Sequence, residues 1–298
     1  MADQASIAEV RVVICTYRSR DYVCDAIRSC LESGMGEAQI SVVDNLSRDG
    51  TPELVKERFP QARVLVMERN LGFAAAVNRG AREAGGSFIL LLNPDARLGA
   101  GSLQVMLDAL AADPRRGAIS PRVERPDGRL DPACRRTFPD PVTALFRLGG
   151  LSRLSPGSAR LGAYNLTHIP ADRAMVVDSG TGACLLLPRA VWDEVGGLDE
   201  GYFMYGEDLE LCWQIRERGL VVWYEPGAAV VHLKGRSSEQ AAMAMLVQFH
   251  KSMWRFYSLH YRQGPWAWLQ PLVAAGIGGR LLVLLAINLA RRHPRVSP

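Results

Sequence analysis

The run Val10-Arg11-Val12-Val13-Ile14-Cys15, followed at once by Thr16-Tyr17-Arg18-Ser19, decides how this chain reads. A short, nearly unbroken apolar run fits a strand covered on both faces, as in a parallel sheet. A dinucleotide-binding sheet would place a glycine fingerprint after such a strand, and an ATPase a phosphate loop. The chain has Thr16-Tyr17-Arg18-Ser19 there instead, so the sheet suits a nucleotide but in neither of those styles.

Working outward, residues 21–33 have helical spacing and 40–43 form a second apolar run. Thr51 and Pro52 supply an N-cap and a first helical position. Residues 63–67 read as a strand, 73–84 as a helix and 88–92 as a strand. This βαβαβ rhythm predicts an α/β fold with a doubly wound, mostly parallel sheet, whose ligands sit at the carboxyl ends of the strands. A further helix is expected over 101–112, and 115–173, rich in Pro, Gly and Arg, reads as irregular. Beyond it, 183–187 is strand-like, 189–194 and 209–218 are helical, and 221–224 and 229–232 read as two strands. The organisation expected is a nucleotide-binding half over 1–100, an acceptor-binding and catalytic half over 101–240, and a helical tail over 241–298.

With 298 residues, 48% of them apolar, the chain can bury a sizeable core. A net charge of +4 is too mild to imply nucleic acid. Arg115, Arg116, Arg122, Arg125, Arg129, Arg135 and Arg136 crowd one stretch, which reads as a solvated face or as a surface for phosphates or anionic headgroups. The six cysteines lack zinc-type spacing and several lie in apolar runs, so buried, reduced thiols are expected. The polar first eight residues carry no signal pattern, which predicts a cytoplasmic protein.

The tail differs. Residues 265–290 are almost all apolar, approaching the roughly 20 residues that cross a bilayer. Arg280 near the centre argues for a helix lying in the membrane interface, its charge snorkelling to the surface, with Trp266 and Trp268 before it and Arg291, Arg292 and Arg295 after it. The alternative is a helix packed on a second subunit.

Three strand ends and one helix start carry the chemistry. Asp44 closes the second strand, where a carboxylate accepts hydrogen bonds from a base or ribose, or caps a turn. Asn93-Pro94-Asp95 puts oxygens at the tip of a buried strand, suiting a hard divalent cation or an Asx-Pro turn. Aromatics at 202–205 precede Glu207, Asp208 and Glu210, acids that a helix dipole favours even without catalysis. His232 ends an apolar run, where a lone histidine is more often structural.

Together and in order, these segments resemble family 2 glycosyltransferases of the GT-A fold, in particular the rhamnosyltransferase-like branch. The resemblance rests on Val13-Ile14-Cys15-Thr16-Tyr17, on Val42-Val43-Asp44-Asn45 with Ser47 and Asp49-Gly50-Thr51, and on Asn70-Leu71-Gly72-Phe73-Ala74 with Ala76 and Asn78. Residues 90–95, Gly182-Ala183-Cys184, Gly196-Gly197-Leu198-Asp199-Glu200 and 202–212 extend it. It implies that Thr16, Tyr17, Asp44 and Asn45 hold the nucleoside, and that Asn70, Gly72, Phe73, Asn78 and Asn93 lie along the nucleotide sugar. It further implies Asp95 and His232 as ligands of Mg2+ or Mn2+, Asp208 as general base, and Glu207 as the residue that orients Asp208 or the acceptor. Asn93 stands where the family's first metal-motif acid is usual. The implied activity is inverting transfer of a sugar, L-rhamnose from dTDP-rhamnose, onto a lipid-linked or cell-surface saccharide at the inner face of the cell membrane, by a monomer or homodimer. Transfer from a UDP donor, such as galactofuranosyl transfer, is the alternative within the class, and a non-catalytic nucleotide-sugar-binding scaffold the alternative outside it.

Overall fold

A computed structural model describes residues 6–140, 158, 162–233, 242–263 and 267–290. Strands β1 (Val10–Thr16), β2 (Ile40–Asp44), β3 (Arg63–Val66) and β4 (Phe88–Leu92) pair in parallel in the order β3-β2-β1-β4. Every residue of β2, and all but Arg11 in β1, is buried, as the apolar runs require. Helices α1 (Val23–Glu32), α2 (Thr51–Arg58) and α3 (Phe73–Glu83) make the crossovers, and α2 starts one residue earlier than the Thr51 cap predicts, with Gly50 as its N-cap. The order reverses between β1 and β4, the place where an open α/β sheet leaves a crevice at its carboxyl edge.

The second half completes the same sheet with mixed polarity. After β5 (Ala96–Leu98) and α4 (Ser102–Ala111) comes β6 (Arg116–Glu124). Then follow β7 (Met175–Val177), β8 (Cys184–Pro188), α5 (Arg189–Val195), α6 (Glu207–Glu217) and β9 (Val221–His232). Strand β8 lies antiparallel between β4 and β6, and β6 runs parallel to β9. Strands β5 and β7 share the far edge of β9, pairing with its two ends. Among the described residues nine strands thus form one sheet.

Two expectations change. Residues 116–124 are a central strand, hidden in the sequence because Gly117, Pro121 and flanking arginines break the strand pattern. Pro121 falls at a register shift, where the lost ladder bond costs least, and the Arg116 guanidinium lies 3.8 Å over the Trp223 ring. Residues 221–232 are a single strand, because the residues between Glu225 and Ala229 bulge out opposite the step from Pro121 to Arg122.

The arginine-rich stretch divides: Arg115 and Arg129 are solvated, as expected of a surface face, and the residues at its end are not. Arg115, Arg122 and Arg129 pair with Asp113, Glu124 and Asp127, each two residues away, and Arg135 and Arg136 turn inward. All six cysteines are buried and unbridged.

The tail comprises α7 (Ala242–His260) and α8 (Gln270–Leu289). His260 on α7 meets Glu210 of α6 at 2.7 Å and stacks on Trp213, fastening the tail to α6. Arg280 of α8 does not snorkel outward but reaches His250 of α7 at 2.9 Å. The His250 Nδ1 lies 2.8 Å from the Leu246 carbonyl, and burial, then the Arg280 charge, lowers its proton affinity. Trp266, Arg291, Arg292 and Arg295 lie outside the described residues.

Candidate active site

The carboxyl ends of β1 and β2 form one hydrogen-bonded unit. Parallel register sets Thr16 beside Asp44, and the Thr16 hydroxyl donates to Asp44 Oδ1 at 2.9 Å. The Ser47 amide donates to Asp44 Oδ2 at 2.8 Å, and the Ser47 hydroxyl also donates to Oδ1. A carboxylate oxygen accepts about two hydrogen bonds. Oδ1 is therefore filled, while Oδ2 keeps one open position for a base or ribose donor. Tyr17 follows Thr16 into the connection.

Asn45 spans to the third segment. Its amide donates to the Gly72 carbonyl at 2.9 Å and its oxygen accepts from the Leu71 amide at 3.0 Å, while Asn70 Oδ1 accepts from the Gly72 amide at 3.0 Å. Gly72 has φ +92°, and a β-carbon there would sit 2.2 Å from the Phe203 carbonyl oxygen. Only glycine combines that backbone with that approach. The Phe203 carbonyl then accepts the Phe73 amide at 2.8 Å, so the start of α3 is locked against the loop before α6. Asn78 is the other half of this lock. Its buried amide exchanges bonds with both the amide and the carbonyl of Leu198 and reaches Glu200. The contacts of Asn78 are thus with protein, one layer behind the turn.

At the end of β4, Asn93, Asp95 and His232 meet. Asp95 and His232 are buried, and the register between β5 and β9 that pairs Ala96 with His232 brings them together. His232 Nε2 lies 3.1 Å from Asp95 Oδ1 and 3.3 Å from Asn93 Nδ2, and its buried Nδ1 has no partner. Ligands at about 2.1 Å in an octahedron are roughly 3.0 Å apart along an edge. The 3.1 Å contact is a hydrogen bond between His232 and Asp95, and the same separation would let the two supply adjacent ligands to one divalent cation. Among the described residues no third His, Cys, Asp or Glu joins them, so the remaining positions would go to phosphate oxygens and water.

The two acids that open α6 differ in their hydrogen bonding. Glu207 is buried, its Oε2 lacks a partner, and burial followed by the charge of Asp208 pushes its carboxyl up to about 8. It lies within electrostatic reach of β1: burial, then Asp44, then Glu207 drive up the Cys15 thiol. Asp208 instead accepts from Arg136 Nη2 at 2.8 Å and from the Gly182 amide at 3.2 Å. The adjacent Ala183 carbonyl accepts the Asn93 amide at 2.9 Å, so two neighbouring peptide units join the tip of β4 to the acid on α6. A β-carbon at Gly182 would lie 3.6 Å from Phe73 Cε1 and 3.7 Å from Asp208 Cβ, so Phe73 and Asp208 flank the same point.

All the residues singled out in the sequence thus gather at one edge of the sheet, with Asn78 behind it. Sequence reasoning missed two partners. Arg136 was grouped with surface arginines, and the Phe203 carbonyl has no sequence signature. The resulting arrangement offers an acceptor for a nucleoside, a helix N-terminus for a diphosphate, two ligands for a cation and a carboxylate that can take a proton.

Comparison with known proteins bears on family and fold. The model of glycosyl transferase family 2 matches residues 11–157. The N-acetylglucosaminyl-diphospho-decaprenol L-rhamnosyltransferase of Mycobacterium tuberculosis is 35% identical over 253 residues, 79% of this chain and 79% of that protein. The fold resembles that of the mannosyltransferase PcManGT from Pyrobaculum calidifontis in complex with GDP-Man and Mn2+. That match has a TM-score of 0.57 and 18% identity over 96% of this chain and 76% of that one. It also resembles residues 1–349 of S. aureus TarS, with a TM-score of 0.53 and 15% identity over 94% of this chain and 84% of that one. The chain belongs to glycosyl transferase family 2 and has the GT-A fold. Within that family it is a glycosyltransferase of the rhamnosyltransferase-like kind.

Proposed function

We propose that this glycosyltransferase moves L-rhamnose from dTDP-rhamnose onto a polyprenyl-diphosphate-linked saccharide at the inner face of the cell membrane, inverting the transferred carbon. The observation that carries the reading is the 35% identity, across 79% of both chains, with a mycobacterial enzyme named for L-rhamnose and a lipid-linked acceptor.

In this account Thr16, Tyr17, Asp44 and Asn45 hold the nucleoside, with the open position of Asp44 Oδ2 taking a donor from the pyrimidine or ribose. Asn70, Gly72 and Phe73 shape the turn at the N-terminus of α3, whose dipole favours the anionic diphosphate. Asn78 supports that turn from behind, and Asn93 borders the phosphates. Asp95 and His232 would hold Mg2+ or Mn2+, which when bound offsets the charge growing on the leaving diphosphate. Asp208 takes the proton of the acceptor hydroxyl as that oxygen attacks from the face opposite the leaving group. A single in-line displacement needs no nucleophilic side chain.

The acceptor's lipid calls for a membrane, and α8 supports one. Residues Ala267–Leu289 form an apolar helical stretch with a mean hydropathy of 2.0 and few buried positions. Trp268, Leu272, Leu282, Val283 and Leu289 are exposed, Trp268 by 75%. One side rests on α7 through Arg280, which favours a helix lying in the interface over one crossing the bilayer.

Titration calorimetry tests the donor assignment. dTDP and UDP should bind more tightly than ADP or GDP, and dTDP most tightly. A preference for a purine diphosphate would contradict it.

A further inference from the structure

Arg136 is the feature of the site that neither the family pattern quoted above nor the motif spacing anticipates. It follows the short turn at Pro132–Cys134. Its backbone is fixed first: the Arg136 amide donates to the Ser179 carbonyl at 2.9 Å, and the Arg136 carbonyl accepts the Asp178 and Ser179 amides. Its Nη2 then donates to Asp208 Oδ2 at 2.8 Å, to Ser179 Oγ at 3.3 Å and to the Gly180 carbonyl. Gly180 is what admits it, because a β-carbon there would press on Ser120 at 2.6 Å and drive the segment away from β6.

The pair is largely shielded from water, with 11% of the Arg136 side chain and 15% of the Asp208 side chain exposed. Burial opposes the charge on the guanidinium, but the Asp208 carboxylate and Tyr164 together more than offset it, so Arg136 holds its proton more tightly than a free arginine. The division of oxygens follows. Oδ2 of Asp208 already takes Arg136 and the Gly182 amide, which fills it. Oδ1 takes only the Leu209 amide, at 2.8 Å, and keeps one position open.

We propose that Arg136 is a positioning residue for proton transfer: by occupying Oδ2 it fixes the rotamer of Asp208 and presents Oδ1 as the atom that accepts the acceptor's proton. This rests on the reading of Asp208 as the base. The proton moves from the acceptor oxygen to Oδ1, that oxygen's electron pair forms the new bond to the sugar carbon, and the old carbon–oxygen bond breaks with its pair going to the diphosphate. Arg136 gains and loses no proton. Its neighbour Glu207 is buried with Oε2 lacking a hydrogen-bond partner, so of the two acids only Asp208 is fixed by a guanidinium hydrogen bond.

A double-mutant cycle on the full chain tests this, using steady-state kinetics with Asp208→Asn, Arg136→Met, Arg136→Lys and the combined variants. Asp208→Asn should lose at least about a hundredfold in kcat. Arg136→Met should lose about ten- to a hundredfold in kcat with donor KM within twofold, and Arg136→Lys should recover part of that loss. In the Asp208→Asn background neither Arg136 substitution should cost anything further, because groups acting as one unit are not additive. Additive losses would overturn the role of Arg136 and leave Asp208 as the base. Near-normal turnover in Asp208→Asn would overturn the base itself. If Arg136→Met does not fold, the Arg136→Lys cycle decides between the same two outcomes.

Discussion

Glu207 and Asp208 are neighbours in sequence, and at the residue scale their environments separate them. Asp208 accepts a hydrogen bond from a buried guanidinium, whereas Glu207 is buried beside the Asp208 charge, and Arg136 only partly offsets that effect. The folded chain holds the Glu207 proton up to about pH 8, while an unfolded carboxyl releases it near its ordinary 4.5. Between those values the folded state binds the extra proton, so this group's contribution to stability falls as pH rises through the window. Glu207→Gln removes the titration. Its melting temperature should match the parent near pH 5 and exceed it by several degrees above pH 8, and an equal difference at both pH values would contradict the neutral acid. The cation site gives a second test. Asp95→Ala and excess EDTA should each abolish turnover, whereas His232→Ala should raise the Mn2+ concentration needed for half-maximal rate, since Asp95 and the phosphates remain. Full activity in EDTA would remove the metal from the account. Sequence singled out Glu207, Asp208, Asp95 and His232, but not the part that Arg136 plays beside Asp208. Arg136 lies 72 positions from Asp208, and no local periodicity links an arginine to a carboxylate across that span.

Among the elements, the parallel half was legible because each strand is a short apolar run and each crossover carries helical spacing. The antiparallel half was less so. Strand β6 contains a proline and a glycine that its bulged register accommodates, so its pairing with β9 is a tertiary fact without a local pattern. The contact between Gly72 and Phe203 is similar: a glycine in a turn is readable, but the carbonyl that requires it lies on another element. Gly72→Ala would force a β-carbon into that carbonyl at φ +92°, at a cost of at least about 1–3 kcal/mol. Urea unfolding should show the loss, and kcat should fall with it because the loop before α6 moves. An unchanged midpoint would mean that the turn and loop are not locked together.

For the whole molecule, the tail joins α6 through Glu210, His260 and Trp213, and α8 is carried on α7. Sequence anticipated the apolar stretch but not its attachment, because Arg280 reads as a snorkelling charge until His250 is seen beside it. Leu282 and Val283 are more than half exposed on α8, so Leu282→Asp with Val283→Asp should fold normally. In flotation with anionic vesicles the double variant should stay in solution while the parent floats, and both should release nucleotide from donor at the same rate in water. A variant that floats like the parent would show that α8 does not meet the membrane.

The central claim concerns what is transferred, and to what. The direct measurement incubates the full chain and Mg2+ or Mn2+ with dTDP-rhamnose, and separately with UDP-galactofuranose, UDP-glucose and GDP-mannose. A short polyprenyl-diphosphate saccharide serves as acceptor, and the product is resolved by mass and by the anomeric signals in NMR. The account predicts a single added deoxyhexose from dTDP-rhamnose alone, with anomeric configuration opposite to that of the donor. A retained configuration, or efficient transfer from another donor with none from dTDP-rhamnose, would contradict it.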